Sequence, residues 1–145
     1  MLGLHQTLAV IVLVAGAITL ILGLVCIVLS RRSATAHADA ANSTLANSTL
    51  ANSALATPLR IFRYALWATA GIGVLQAIVG GILFLQGDRP GEGLHFVYGI
   101  IVLGAVPVAY VYSDQKDVRR DIIIMAIAAA AVVGAAIRAF ATGPA

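Results

Sequence analysis

Long apolar runs, uncharged but for Arg138 in the last, alternate along this chain with polar stretches. Four such runs, over about 4–30, 64–86, 94–112 and 122–140, are each close to or longer than the roughly 20 helical residues that cross a hydrocarbon core of about 30 Å. Within each run, small and apolar residues recur at alternating four- and three-residue steps. The first carries His5, Ala9, Val12, Gly16, Thr19 and Gly23, and the second Ala70, Gly73, Ala77, Gly80 and Phe84. The third carries His95, Gly99, Val102, Val106 and Ala109, and the fourth Ile127, Ala131, Gly134 and Arg138. These steps place residues on one helix face, and in a membrane small residues let neighbouring backbones approach, so each stripe is expected to point into a bundle. Residues 87–93, Gly-Asp-Arg-Pro-Gly-Glu-Gly, form a turn short enough to make the second and third spans antiparallel neighbours. The expected fold is all-α, an integral membrane up-down four-helix bundle occupying 1–145 as a single domain.

Two other polar stretches refine this picture. Residues 33–58 contain Ala-Asn-Ser-Thr-Leu twice in succession and then imperfectly, a period of five that suits neither helix nor strand. They are expected to be a low-complexity cytoplasmic linker closed by Pro58, with a frayed helix extending a span as the alternative. His37 within it is expected to be solvated. Asp114, Lys116, Asp117, Arg119, Arg120 and Asp121 are expected to form a polar hairpin loop. Pro107 should kink the third span. The first run lacks a basic leader, is about twice the length of a signal-peptide core and is followed at once by Arg31-Arg32, so it is expected to be a retained span.

Composition agrees with the pattern. Of the 145 residues 61% are hydrophobic and 10% charged, which leaves no room outside the bilayer for a soluble catalytic domain. The placement of the nine Lys and Arg residues matters more than their sum. Arg31, Arg32, Arg60, Arg63, Lys116, Arg119 and Arg120 flank the first and third connections, so by the positive-inside rule these are cytoplasmic and both termini external. The basic residues therefore report topology and not a nucleic-acid site. The membrane expected is a bacterial or archaeal cytoplasmic membrane. Tyr64, Trp67, Tyr110 and Tyr112 fit an interfacial belt, and the lone Cys26 fits a packing role.

Candidate chemistry centres on two histidines. The first and third spans run in the same direction, so His5 and His95 lie at one depth near the external face, on helices that are diagonal in an up-down bundle. Two imidazoles approaching from opposite sides are what bis-histidine ligation of a haem iron requires, making His5 and His95 the candidate metal ligands. Ala9 and Gly99, one turn on, leave room for a porphyrin plane, and Arg138 is expected at similar depth to pair with the propionates. A histidine at a membrane interface is also stable without any ligand. Gln76 is expected to make an interhelical hydrogen bond or touch a ligand. Asp88 and Glu92 are expected to be solvated or paired with Arg89.

Leu75-Gln76-Ala77-Ile78-Val79-Gly80-Gly81, followed across the Pro90 loop by Leu94-His95-Phe96-Val97-Tyr98-Gly99, resembles consecutive helices in one four-helix half of the heme A synthase family. Leu4-His5-Gln6-Thr7-Leu8-Ala9 is similar to the same heading. The resemblance covers about forty residues and implies external haem ligation by His95, and by His5 if the first span plays the partner's role. Members of that family have eight spans in two halves, whereas four exist here, so a haem b site carries over and the synthase reaction does not. The function expected is a small b-type haem-binding membrane protein or electron-transfer subunit, more an electron carrier or accessory subunit than a stand-alone enzyme. The alternative is a cofactor-free structural or accessory subunit packed against other membrane subunits. A proton-coupled transporter is disfavoured because no Asp or Glu falls inside an expected span.

Overall fold

The computed structural model describes residues 2–39, 46–113 and 117–142. Four α-helices account for nearly all of them: α1 (Leu2–Asp39), α2 (Ala46–Leu85), α3 (Leu94–Tyr112) and α4 (Val118–Ala141). Each contains a stretch long and apolar enough to cross a membrane. Their outward side chains are mostly aliphatic, Ile21, Leu75, Ile100 and Ile127 among them. Apolar surface on this scale fits lipid and not water.

Successive helices are antiparallel. His5 meets Gln76 and Thr19 meets Thr69, pairing α1 with α2, while His95 meets Ala139, pairing α3 with α4. α1 packs on both α2 and α4, α3 packs on α4, and α2 touches α3 only sparingly. The backbones of α1 and α3 make no direct contact, so these helices are diagonal across the core, as an up-down order requires. The end holding the first turn of α1 and the α2–α3 loop is termed upper.

The lower half is the tightly packed one. Phe62 and Ile122 are fully buried there with Cys26 and Met125. The ring of Phe62 lies in a notch left by Gly23, where an added methyl would stand 3.0 Å from a ring carbon and 3.2 Å from the Ala126 side chain. Higher up, Gly16 admits Val132 and Val133 of α4 in the same way. Helix association in lipid gains nothing from hiding oil in oil and rests on such close van der Waals contact. Between these notches the buried hydroxyls of Thr19 and Thr69 stand 3.0 Å apart, each also within reach of a carbonyl one turn back in its own helix, and the one that donates to the other gives up its bond to that carbonyl.

The expected stripes of α1 and α3 face the interior: Val12, Gly16, Thr19, Gly23, Val102, Val106 and Ala109 are all buried. α2 follows its stripe through Ala70 and Gly73 but buries Leu83 where Phe84 was expected. α4 corrects the reading. Its buried face runs through Ile122, Met125, Ala129, Val132 and Ala136, while Ile127, Gly134 and Arg138 are exposed. Arg138 follows Ala136 by two residues, about 200° around the helix, and so points away from the core.

The polar connections are also more helical than expected. The repeat-bearing segment, expected to be a linker, is helical over 33–39 and 46–58, and Pro58 lies inside α2. Alanine, the best helix former, is frequent in it and offsets its Asn and Ser. Residues 40–45 lie outside the described residues, and so do 114–116 of the expected hairpin loop. Arg119, Arg120 and Asp121 belong to the first turn of α4, which Asp117 caps by accepting from the backbone N–H groups of Arg119 and Arg120. Asp121 is fully buried, 3.8 Å from the Arg63 guanidinium. A carboxylate thus lies inside a membrane-crossing helix after all, at its lower end, where the helix N-terminus favours negative charge. Trp67 packs edge-on against Tyr110 at 5.4 Å, and exposed Tyr64 and Tyr112 complete an aromatic belt at this end.

If the Phe62 notch holds the lower half together, Phe62→Ala should lower the unfolding free energy in detergent micelles by about 3–5 kcal/mol.

Candidate functional site

The upper half encloses a cavity of about 490 Å³, within the usual size range of small-molecule sites. Its walls are small: Ala9 from α1, Gly73, Ala77, Gly80 and Gly81 from α2, Gly99 from α3, and Ala136 and Ala139 from α4. An added side chain at Gly81 or Gly99 would meet nothing within 4 Å. Leu83, Phe84, Phe96, Ile100 and Leu103 complete the apolar lining, and Asp88, Arg89 and Pro90 of the α2–α3 loop lie at the mouth. Phe84, Phe96 and Ile100 are exposed on the outer surface while also lining the cavity, so it opens sideways between α2 and α3.

His5 and His95 both line this space. Their ring centroids are 6.1 Å apart with planes inclined at 47°, although the helices that carry them do not touch. The first turns of α1 and α3 thus place two imidazoles at one level across the diagonal.

Each ring is held by a second group. His95 Nδ1 is 3.0 Å from the Ala139 carbonyl oxygen. A carbonyl only accepts, so Nδ1 carries the proton and Nε2 keeps its lone pair. Ala139 lies in the last turn of α4, where carbonyls lack intrahelical donors, so the contact also satisfies a helix end. His5 packs against α2: its Nε2 is 3.3 Å from the Gln76 amide, and its Cε1 would meet a methyl placed on Gly80 at 3.0 Å. A side chain at 80 would crowd the ring in this position.

The corner formed by His5 and Gln76 is not self-sufficient. His5 Nδ1 and Gln76 Oε1 are both buried without a hydrogen-bond partner among the described residues. If the Gln76 amide oxygen turns toward Nε2 and accepts its proton, Nδ1 is left with a free lone pair. Unmatched buried polar atoms are costly, which favours a ligand here that supplies the missing contact.

The structure therefore gathers His5, His95 and Gly99 at one cavity and leaves Arg138 out of it. The guanidinium of Arg138 lies 5.8 Å from the centroid of the Tyr98 ring, on the exposed side of α4. Gln76 makes the interhelical contact expected of it, and Arg89 takes a place that the sequence did not assign. Gln76 is the partner of His5, and its position three residues after Gly73 and four before Gly80 on one stripe was the available signal. Arg89 is the cation at the cavity mouth, its guanidinium 4.0 Å from the centroid of the Phe84 ring.

Among the described residues no group of three or more His, Cys, Asp or Glu side chains is placed to hold a metal ion. The two histidines alone are fewer protein ligands than a bare transition-metal ion usually takes, whereas a haem iron takes four nitrogens from its porphyrin and asks the protein for two at most. No protein-family model, curated protein or solved structure matches this chain.

Gly80→Val should push the His5 ring off Gln76 without touching His95. In imidazole ¹⁵N NMR the His5 signals are expected to move while the hydrogen-bonded Nδ1 of His95 keeps its shift.

Proposed function

We propose that this protein is a small b-type haem-binding membrane protein that passes single electrons near the external face, with His5 and His95 as axial ligands. The observation that carries this reading is the convergence of two imidazoles from diagonal helices, 6.1 Å apart, on one apolar cavity. His5 and His95 would hold the iron of a flat ligand lying between their rings. The lone pair on His95 Nε2, the unpartnered Nδ1 of His5 and the glycine- and alanine-lined walls fit a flat apolar ligand with a metal at its centre. The partial resemblance to one half of the heme A synthase family points the same way.

When bound, haem supplies a one-electron couple. The chain's own residues do the rest. Ala139 fixes the His95 tautomer and ring angle through Nδ1, a bond that also raises the basicity of Nε2. Gln76 would do the same for His5 with its amide oxygen turned to Nε2, the orientation that frees the Nδ1 lone pair. The apolar lining keeps water from the rings, which sets the potential by burial. Arg31, Arg32, Arg60, Arg119 and Arg120 gather at the lower end, so the positive-inside rule makes that end cytoplasmic and the cavity external, in a prokaryotic cytoplasmic membrane.

A second reading, a cofactor-free subunit of a larger membrane complex, is favoured by the outward face of α4. There Gly134 has open space beside it and Ile127 is exposed, which suits a neighbouring helix. Stoichiometric partner chains on purification would support it.

Protein purified from haem-replete cells should show a Soret band that shifts on reduction. His5→Ala and His95→Ala should each abolish the six-coordinate spectrum. A colourless preparation sinks the haem reading, and a spectrum sensitive to only one substitution rules out the diagonal pair.

A further inference from the structure

The cavity mouth carries a cation whose charge nothing in the described structure matches. Arg89 lines the cavity and lies over the Phe84 ring, and Phe84 in turn packs edge-on against Phe96 at 5.3 Å, so that the two rings flank the lateral opening between α2 and α3. The loop that presents Arg89 is not slack. α2 ends with Gly87 in the left-handed region at φ 98°, where the backbone N–H of Gly87 donates to the Phe84 carbonyl and that of Asp88 to the Leu83 carbonyl, at 3.2 and 3.1 Å. This paired pattern is a Schellman stop, which fixes the path of the chain two residues before Arg89. Pro90 follows directly, limiting the backbone further.

Asp88 and Glu92 are on the same loop, yet among the described residues the only ion pair within 4.0 Å is Arg63 with Asp121, at the opposite end of the bundle. The guanidinium is therefore held by an aromatic face and a rigid turn, with no carboxylate among the described residues within 4.0 Å of its donors. Its place is at the boundary between an apolar chamber and the polar loop, where the charged edge of an otherwise apolar ligand would come to rest.

We propose that Arg89 anchors the propionate edge of the haem, and that Phe84 and Phe96 frame a lateral portal through which the ligand enters from the bilayer with its carboxylates at the membrane surface. This deepens the haem reading and rests on it. A guanidinium pairs with carboxylates through two parallel hydrogen bonds, and a ring stacked on its face leaves its edge donors available for them. Arg138 is not a second anchor, because it lies over Tyr98 outside the cavity.

The test compares haemin with its dimethyl ester, which keeps the macrocycle and iron but has no carboxylate. The full chain, purified without haem from haem-deficient cells, is titrated with each in detergent and followed at the Soret band. Wild type should bind haemin about tenfold or more tightly than the diester. Arg89→Gln should bring the two affinities together by weakening haemin alone, while Arg138→Gln should keep the wild-type preference. A preference that survives Arg89→Gln, or is lost in Arg138→Gln, overturns the anchor. Wild type that takes up both porphyrins equally well also overturns the anchor but leaves the haem reading standing. Wild type that takes up neither overturns the haem reading and the anchor with it.

Discussion

Everything in this bundle depends on how closely α1 approaches its two neighbours in the lower half. Hydrocarbon offers no reward for burying one apolar side chain against another, so the helices stay together only where atoms fit at short range. Gly16 and Gly23 provide that fit, admitting Val132, Val133 and Phe62 to distances that no larger residue would allow. With α1 wedged against α2 and α4 below, the sparse contact between α2 and α3 leaves the lateral gap. The cavity is thus the geometric complement of the tight half. It needs no special device beyond glycines and alanines where the helices part.

The same division explains how stability and chemistry coexist in so short a chain. The largest fully buried side chains, Phe62 and Ile122, are in the lower half with the buried Asp121 and its Arg63 partner. The upper half holds histidines, a glutamine and small residues around empty volume. The two regions are continuous, since Val12, Val102 and Ala136 of the cavity wall belong to the same buried cluster as Phe62 and Ile122.

Helix number, direction and the inward faces of α1 and α3 were legible in the sequence because in those runs glycine and β-branched residues alternate with larger aliphatics and so mark a face. α4 resisted the same reading. Residues 128–131 are all alanine, and a helix that is small on every side carries no phase in its pattern; the stripe through Ile127 and Gly134 was as regular as the true one through Ala129 and Ala136. Arg138 was misplaced for that reason alone. For residues 33–39 and 46–58 the structure takes the alternative, helix extending a span, because alanine's helix propensity outweighs their polar content. At the site, His5 and His95 could be paired from direction and depth. The bond between His5 and Gln76 and the position of Arg89 could not, since both depend on the register of α1 against α2 and on how sharply α2 stops at Gly87.

The bond from His95 to Ala139 has one more consequence. A histidine relays protons by taking one on one ring nitrogen and releasing another from the second, and both must be reachable. In this protein Nδ1 of His95 is committed to a main-chain carbonyl that can neither take up its proton nor return one. Only Nε2 remains for exchange with the surroundings. The ring can bind at that nitrogen, but a proton taken up there finds no exit through Nδ1.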